Sequence, residues 1–366
     1  MKTIILTVTN DLTYDRRMMR ICEALATRYR VVLVGRRLPD SPSLDARAYE
    51  QVRLRCVFAR GKIFYAEMNL RLFFYMLVHR FDLVCSIDLD TILAGFAASR
   101  LKGKPLVYDA HEIFTEIPEL AHRPLVRKVW LAIERFVVPR VAHAYTVNAS
   151  LAEIFRERYG ARFEIIRNVP PRPPATAAGP RGRTILYQGV LNVGRGLEAL
   201  VDALPSLDAE LVLIGEGDIS DALRAQVQRL GLEQRVRFDG YVRPSEMPDR
   251  IRSAAVALNL RERLGLNDYF SLGNKFFDYI HAGVPQITMN FPEYARINAE
   301  HEIAVLIDDL SSATIRGAIE RLLGDTAFYE RLRANCRAAS AVYNWEHESA
   351  RLLAFYDGIL GPVRER

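Results

Sequence analysis

Residues 271–285 read Ser-Leu-Gly-Asn-Lys-Phe-Phe-Asp-Tyr-Ile-His-Ala-Gly-Val-Pro, and this stretch decides the fold. The polar turn at residues 271–274 predicts the start of a helix, and Gly283 predicts its end just before an apolar strand. The unpaired N–H groups and positive dipole of a helix start attract phosphate. Lys275 and Asp278 lie three residues apart and project from nearly the same face. The helix therefore offers a phosphate cradle, a cation and a carboxylate for a sugar hydroxyl, although an ordinary amphipathic helix would show the same pattern.

Short apolar runs alternate with amphipathic stretches along the rest of the chain as well. This rhythm predicts the α/β class, with two doubly wound parallel sheets that are covered by helices on both faces. Ser150 followed by Glu153 has the spacing of a capping box, which predicts a helix start there. The predicted strands are residues 4–8, 31–35, 83–87, 106–109, 144–147 and 164–166, then 184–188, 211–214, 236–238, 255–258, 285–289 and 304–307.

A proline-rich segment, residues 169–182, interrupts the alternation. Five prolines in this span exclude both a helix and a central strand, so we predict a linker between two domains. The first domain is expected at residues 1–168 and the second at residues 183–344. Because ligands of open α/β sheets bind at the carboxyl ends of the strands, we expect the functional site in a cleft between the two sheets.

Composition limits the possible functions of the 366-residue chain. Its formal charge of +6 is dispersed, which argues against a nucleic-acid-binding protein. The four cysteines show no metal or disulfide spacing. The start is too quickly polar for a signal peptide, and the longest apolar run, residues 72–78, is far below the roughly 20 residues of a membrane span. We therefore predict a cytoplasmic protein.

A basic amphipathic stretch at residues 123–140 suits an anionic membrane surface, or is a packed helix with a solvated face.

Three glycine-rich strand ends in the second half are candidate contacts to a nucleotide. The first runs from Gly189 to Arg195-Gly196, where an arginine at a helix start suits an anion. The second is Gly215-Glu216-Gly217, and the third is residues 238–242, Phe-Asp-Gly-Tyr-Val. Each of them, taken alone, is equally typical of an ordinary strand exit.

The order and spacing of these motifs resemble the nucleotide-binding half of the GT-B glycosyltransferases, specifically family 4, the glycosyl transferases group 1. The first half agrees with this resemblance, and so does the segment at residues 343–346, which is similar to the family's closing segment. The resemblance thus implies that residues 345–366 form a helix that crosses back to the first domain. The landmarks of the first half are Asn10-Asp-Leu-Thr-Tyr-Asp15-Arg16-Arg17, Asp109-Ala-His111-Glu112 and Ile166-Arg-Asn168-Val-Pro170.

The resemblance implies a role for each matching residue. Arg195 would hold the donor diphosphate, and the helix start from Gly273 through Asn274 to Lys275 would cradle its distal phosphate. Asp278, the second acid of the family's E-x7-E motif, would hold the ribose. His111 would lie near the reacting sugar. The other implied contacts are Gly189, Gly215, Glu216, Tyr241 and Val242 for the nucleotide, and Asn10, Asp11, Leu12, Arg16 and Glu112 for the loops that face the substrates.

Two positions depart from the family pattern. The first acid of E-x7-E falls on Phe270, which cannot accept a hydrogen bond, and the arginine expected before the diphosphate cation falls on Val190. The second departure makes Lys275 more important, because it would replace the missing cation. Asp268 and Glu262 are both candidates to replace the missing acid.

The predicted function is a retaining glycosyltransferase that moves a sugar from a UDP- or GDP-linked donor to a glycan or lipid-linked acceptor in polysaccharide synthesis. We assign no D-x-D motif to a metal site and no carboxylate to a nucleophile, so we predict a metal-independent enzyme without a cofactor. The alternatives are a GT-B sugar-nucleotide epimerase and a nucleotide-sugar-binding protein without turnover. Incubation with donor alone distinguishes the epimerase, and donor binding without transfer distinguishes the binding protein.

Overall fold

The chain divides into two compact units in the computed structural model, which describes residues 1–13, 15–117, 120, 123–172 and 182–361. The first unit comprises Met1–Asn168 together with the segment that begins at His347, and the second comprises Val169–Glu346. Most of the predicted linker, residues 173–181, lies outside the described residues.

Each unit is built on one parallel sheet, as the alternation of runs predicts. The sheet of the first unit has the strand order β3-β2-β1-β4-β5-β6-β7, and that of the second has the order β10-β9-β8-β11-β12-β13. The strands are β1 Thr3–Thr7, β2 Arg30–Arg37, β3 Glu50–Arg55, β4 Leu83–Ile87, β5 Leu106–Ala110, β6 His143–Thr146, β7 Glu164–Ile165, β8 Thr184–Gln188, β9 Glu210–Ile214, β10 Val236–Gly240, β11 Val256–Asn259, β12 Gln286–Met289 and β13 Ala304–Ile307.

Helices connect the parallel strands, as crossover connections require. Those in and after the first sheet are α1 Arg16–Ala26, α2 Gly61–Val78, α3 Asp88–Lys102, α4 Pro124–Val137 and α5 Ala149–Tyr159. Those of the second are α6 Leu197–Ala203, α7 Ser220–Arg229, α8 Met247–Arg252, α9 Leu266–Tyr269, α10 Asn274–Ala282, α11 Pro292–His301, α12 Ser312–Gly324 and α13 Thr326–Val342. Helix α14, Trp345–Leu360, follows, and short 3-10 turns lie at Phe114–Glu116, Val138–Arg140 and Leu204–Ser206.

The first sheet is covered on both faces. On one face, Ile5 and Val84 pack with the buried side of α2, which includes Met68 and Leu72. Tyr145 of β6 instead contacts Tyr356 of α14, with ring centroids 6.4 Å apart. Since successive side chains of a strand point to opposite faces, the inner strands β4 and β5, in which every residue is buried, are covered on both faces.

The second sheet is covered in the same way, and helix α10 contributes to both of its cores. Phe276 and Phe277 belong to the larger core, together with Ile185 and Tyr187 of β8. Tyr279 packs in the smaller core with Leu186. These apolar contacts of α10 fix its start against the end of β8.

Three details of the sequence prediction differ from the structure. Helix α5 begins at Ala149, and its N-cap is Asn148, whose side chain accepts a hydrogen bond from the Leu151 N–H. The predicted capping box at Ser150 is therefore wrong, and Glu153 instead pairs with Arg156. Strand β3 and helix α2 were not predicted.

Candidate functional site

Helix α10 presents its first turn next to the end of β8. It begins at Asn274, and Gly273 is its N-cap with extended backbone. The Gly273 N–H donates to the Tyr294 hydroxyl at 3.1 Å. This N–H, which the sequence analysis assigned to the phosphate, therefore already has an acceptor. The N–H groups of Asn274 and Lys275 lie in the first turn, where an α-helix supplies no acceptor.

Lys275 is a cation that the fold leaves without a carboxylate. Its ammonium lies 4.4 Å from the centroid of the Tyr187 ring, and no ion pair involves it among the residues that the structure describes. Burial, with the like charges of Arg195 and Arg261 added, lowers the pKa of Lys275 to about 7. An anion placed here would therefore favour the charged form of Lys275.

Arg195 is the second cation of this group. It lies on the loop between β8 and α6 and is half-buried, and within the described part of the chain no carboxylate pairs with it. The neighbouring Arg261 differs, because its Nε lies 3.0 Å from Oδ1 of Asp268. Lys275 and Arg195 together thus form a site of uncompensated positive charge at the carboxyl end of β8.

Asp278 is held one turn further along α10 by a residue that the sequence analysis did not single out. The Gln188 side chain, at the end of β8, donates to Oδ2 of Asp278 at 2.9 Å. Gln188 Oε1 is buried and has no hydrogen-bond partner among the residues that the structure describes. The only sequence signal was the position of Gln188 immediately before Gly189.

The glycines of the second unit allow two strand ends to approach each other closely. Gly215 has φ 122°, and a Cβ there would collide with the Gly189 carbonyl oxygen. The Gly189 N–H donates to the Ile214 carbonyl at 2.9 Å. Glu216 follows and forms an ion pair with Arg224 at 2.6 Å, so its carboxylate already has a partner.

Tyr241 and Val242 follow β10 and point to different environments. Tyr241 is 87% exposed, so its ring is available to a ligand. Val242 packs against the smaller core of the second unit. Of the two, only Tyr241 has the free aromatic face that a nucleobase needs.

The structure separates the two candidates for the acid missing at Phe270. Asp268 is buried and engaged by Arg261, so it is not available to a sugar hydroxyl. Glu262 is exposed, and its backbone N–H donates to the Gly194 carbonyl at 2.7 Å. Glu262 is therefore the candidate acid whose carboxylate forms no ion pair among the described residues, and it lies beside the loop that carries Arg195.

In the first unit, the loop after β1 folds over the end of β2. The Arg36 N–H donates to the Asn10 carbonyl at 2.9 Å, and Leu12 has φ 75°, a left-handed conformation that is uncommon for leucine. Asp11 pairs with Arg53 at 2.7 Å. Burial would raise the pKa of Asp11, but hydrogen bonds from Ser41 and Thr13 and the charge of Arg53 lower it overall.

His111 follows β5 and lies between two carboxylates. Its Nε2 lies 2.9 Å from Oδ2 of Asp109, and its Nδ1 lies 3.5 Å from Oδ2 of Asp88. Burial lowers the pKa of His111, but the two aspartates outweigh burial and leave the pKa raised. The Arg17 Nε–H donates to His111 Nε2 at 2.8 Å, and the charge of Arg17 opposes the effect of the two aspartates on this pKa.

Arg17 completes this network, and the sequence analysis missed its role. Its guanidinium donates to Asp109 Oδ1 at 3.0 Å and to the Ile166 carbonyl at 3.3 Å. Arg16, which was predicted as a substrate contact, is exposed and has no ion-pair partner among the described residues. Glu112 is partly exposed beside His111.

The sequence contains one D-x-D tripeptide, Asp88-Leu89-Asp90, to which the sequence analysis assigns no metal site. The His111 backbone N–H donates to Asp88 at 2.9 Å, and Thr9 donates to Asp90 at 2.5 Å. Burial and the charge of Asp88 raise the pKa of Asp90 to about 7. Across the described ranges, no three His, Cys, Asp or Glu side chains converge as metal ligands would. Metal independence stays a prediction.

None of the helices that the structure describes combines the length and the apolar character that crossing a bilayer requires.

Comparison with known proteins gives matches along most of the chain. Residues 15–171 match the family described as Glycosyltransferase Family 4, and residues 182–325 match Glycosyl transferases group 1. A D-inositol 3-phosphate glycosyltransferase of Jonesia denitrificans is 28% identical over 202 residues, which is 50% of this chain but only 45% of that protein. A GDP-mannose-dependent alpha-(1-6)-phosphatidylinositol monomannoside mannosyltransferase of Mycobacterium tuberculosis is 26% identical over 75% of this chain and 78% of its own length.

Solved structures resemble the whole fold at low sequence identity. A sucrose-phosphate synthase from Thermosynechococcus elongatus has a TM-score of 0.78 at 17% identity, with 98% of this chain and 99% of that chain covered. HepE of Anabaena in complex with UDP-glucose has a TM-score of 0.72 at 16% identity, with 98% and 100% covered. The two parallel-sheet units therefore have the GT-B architecture.

Proposed function

Since this chain belongs to the family 4 glycosyltransferases, the glycosyl transferases group 1, which have the GT-B fold and use sugar-nucleotide donors, we propose that it is a retaining hexosyltransferase. Its donor is a UDP- or GDP-linked sugar, and its acceptor is a hydroxyl of a glycan or lipid-linked oligosaccharide in cell-surface polysaccharide synthesis. HepE of Anabaena, a structural neighbour, binds UDP-glucose, and the mycobacterial relative depends on GDP-mannose. Both bases are therefore candidates.

The observation that carries the proposal is the pair of uncompensated cations in the second unit. Lys275 and Arg195 share one site without a carboxylate partner among the described residues. A nucleoside diphosphate leaves with its negative charge on the phosphate oxygens, so fixed cations and helix-start amides stabilise that charge as it develops. We propose that this pair takes the place of a metal ion.

Two further residues of the second unit, Asp278 and Tyr241, fit the nucleoside. Asp278, oriented by Gln188 at 2.9 Å, would accept the ribose hydroxyls. The exposed ring of Tyr241 would stack on the base. Glu216 contributes less than the sequence suggests, because Arg224 already occupies its carboxylate.

The first unit would supply the groups that meet the sugar and the acceptor. His111, held between Asp109 and Asp88, would lie beside the donor sugar rather than act as a nucleophile. Arg16 and the exposed Asn10 would face the acceptor, as the family resemblance implies. Asp11 would shape its loop, because Arg53 and neighbouring hydroxyls already take up its carboxylate.

A peripheral membrane location fits the surface of the first unit. Helix α2 exposes Ile63, Leu70, Phe74 and Val78 along one side, at spacings of seven, four and four residues. Helix α4 exposes Leu125, Val129 and Phe136, beside the exposed cations Arg123, Lys128 and Arg135. Arg127, also assigned to this surface from the sequence, instead pairs with Glu116. We propose that these two helices contact an anionic bilayer that carries the acceptor.

The test is calorimetric titration with UDP and GDP, followed by donor turnover with UDP- and GDP-sugars on a panel of lipid-linked acceptors. We expect Arg195→Ala and Lys275→Ala each to weaken nucleotide binding by about tenfold or more, since each removes a charge-assisted contact. Arg229→Ala is the matched control, because Arg229 is an exposed arginine at the C-terminal end of helix α7 and has no assigned role in the nucleotide site. Wild-type binding in both site variants would refute the assignment. An isomerised donor sugar, or binding without any transfer, would favour the epimerase or the non-catalytic protein.

A further inference from the structure

Arg261 lies at the same edge of the second sheet as the proposed nucleotide site, and the proposed function gives it no role. It follows the end of β11 by two residues. Strand β11 pairs in parallel with β8, with Leu258 opposite Tyr187. Since parallel strands end at the same edge of a sheet, the loop after β11 emerges beside the Tyr187 ring, whose centroid lies 4.4 Å from the Lys275 ammonium.

Two contacts hold the Arg261 guanidinium. Its Nε lies 3.0 Å from Oδ1 of Asp268, and its Nη1 donates to the Ser271 hydroxyl at 2.9 Å. The Ser271 hydroxyl in turn donates to the Asp268 carbonyl at 2.9 Å, which fixes the serine oxygen as an acceptor for the arginine. Ser271 precedes Gly273, the N-cap of α10, by two residues. The guanidinium is therefore anchored to the segment that leads into the helix start proposed for the distal phosphate.

The third nitrogen of this guanidinium remains available to a ligand. Nη2 of Arg261 has no hydrogen-bond partner within the described part of the chain, and the side chain is 30% exposed. A guanidinium is planar and rigid, so contacts that fix two of its nitrogens also fix the direction of the third. Charge-assisted hydrogen bonds from such a group suit the oxygens of a phosphate.

The ion pair with Asp268 orients Arg261 without cancelling its charge at the site. Asp268 is only 6% exposed, so its carboxylate is shielded from a bound ligand. The charge of Arg261 does reach the site, because burial and then the charges of Arg195 and Arg261 lower the pKa of Lys275. Asp268, which the sequence offers as a replacement for the acid missing at Phe270, thus contacts an arginine instead of a sugar.

We propose that Arg261 binds the distal phosphate of the donor, as a third cation beside Lys275 and Arg195, and that Asp268 is its positioning residue. This inference rests on the proposed function and adds to it a phosphate contact that no sequence motif indicated.

Calorimetric titration of the full chain with UDP and UMP, and with GDP and GMP, tests the contact to the distal phosphate. We expect Arg261→Met to raise the Kd of the preferred diphosphate about tenfold and that of its monophosphate by no more than about twofold, because the monophosphate lacks the distal group. Arg331→Met is the matched control and should leave both Kd values unchanged, since Arg331 is an exposed arginine of the second unit that pairs with Glu302 at 2.9 Å. A binding stoichiometry equal to that of the wild type shows that a variant is folded.

Asp268→Ala tests the positioning role through the sign of its effect. A carboxylate repels a nearby phosphate, so removal of its charge alone would strengthen nucleotide binding. Loss of the orientation of Arg261 instead weakens it, and we expect the Kd of the diphosphate to rise about fivefold. In the Arg261→Met background, Asp268→Ala should cause no further loss, because Asp268 acts only through Arg261.

Three results would overturn the inference: Arg261→Met binding the diphosphate like the control, an equal loss for diphosphate and monophosphate, or tighter binding by Asp268→Ala. The Arg195→Ala and Lys275→Ala variants separate this inference from the proposed function. If these two lose affinity while Arg261→Met does not, only the third cation is wrong. If the wild-type protein binds neither UDP nor GDP, the proposed function fails as well.

Discussion

The protonation state of Lys275 should affect nucleotide binding more directly than that of any other residue of the proposed site. Its pKa of about 7 means that the ammonium is largely present below pH 7 and is lost above it. A bound diphosphate favours the charged form, so nucleotide binding takes up a proton above this pKa. The affinity for UDP should consequently fall as the pH rises.

We expect the Kd for UDP to rise by up to about tenfold from about pH 7 to about pH 8.5, where the phosphate itself is almost fully ionised. Lys275→Met should bind more weakly and lose this dependence. Calorimetry in two buffers of different ionisation enthalpy measures the proton uptake directly. Equal proton uptake by both proteins would assign the titration to another group.

Arg17 gives a second prediction at this scale. Arg17 and Asp109 are both buried and lie 3.0 Å apart, so Arg17→Met would remove the only arginine that pairs with this buried carboxylate among the described residues and leave it with His111. Such a loss costs about 3–5 kcal/mol in free energy of unfolding. Arg16→Met, one residue earlier and exposed, should change it by no more than about 0.5 kcal/mol. Denaturant unfolding of the two variants measures the difference, and similar values would contradict a structural role for Arg17.

Sequence reasoning found the members of this site that lie in local motifs and missed those that are held by distant partners. Lys275, Arg195 and His111 are placed by motifs, because their neighbours in the chain fix a helix start or a strand end. Arg17 and Gln188 act through partners 92 and 90 residues away, and no local pattern reports such a distance. The Ser150 capping box failed for a local reason, since Asn148 is an equally good cap two residues earlier.

The elements followed from the sequence wherever a strand is buried on both faces. The runs at residues 83–87, 184–188 and 304–307 were predicted with the ends that the structure gives them. Strand β3, Glu50–Arg55, was not predicted because it is an edge strand with charged residues among its apolar ones. Helix α2 was not predicted because its apolar residues cover almost its whole circumference, so the sequence shows no helical period of apolar and polar residues.

The exposed side of α2 gives the prediction at the scale of an element. Leu70→Asp with Phe74→Asp should lower binding to phosphatidylglycerol-containing vesicles about tenfold, because two exposed apolar anchors become charged. Co-sedimentation with these vesicles and with pure phosphatidylcholine measures both the loss and the preference for anionic lipid. Val342→Asp, an exposed apolar residue at the end of α13, is the control. Equal loss in the control, or no anionic preference, would refute membrane contact through α2.

At the scale of the whole molecule, the buried cysteines report on each unit separately. Cys22 and Cys85 lie in the first unit, and Cys336 lies in the second. Leu352 of α14 and Leu332 of α13 are both fully buried, and truncation of either to alanine costs about 2–5 kcal/mol. Each variant should therefore open one unit selectively.

We expect Leu352→Ala to accelerate thiol labelling of Cys22 and Cys85, and Leu332→Ala to accelerate labelling of Cys336. Mass spectrometry of the labelled peptides follows each thiol under native conditions. Equal acceleration of all three cysteines in either variant would show that the chain opens as a single cooperative body.

The first unit draws on two distant parts of the chain, and this has a consequence for biosynthesis. Helix α14 buries Leu352 and Tyr356 in that unit, yet the ribosome reaches it only after the whole of residues 169–346 has been translated. Until α14 has been translated, the apolar face that it covers in the first unit stays exposed. The second unit is continuous in sequence and can fold while translation proceeds. Chaperones that shield apolar surface would be needed most during that interval.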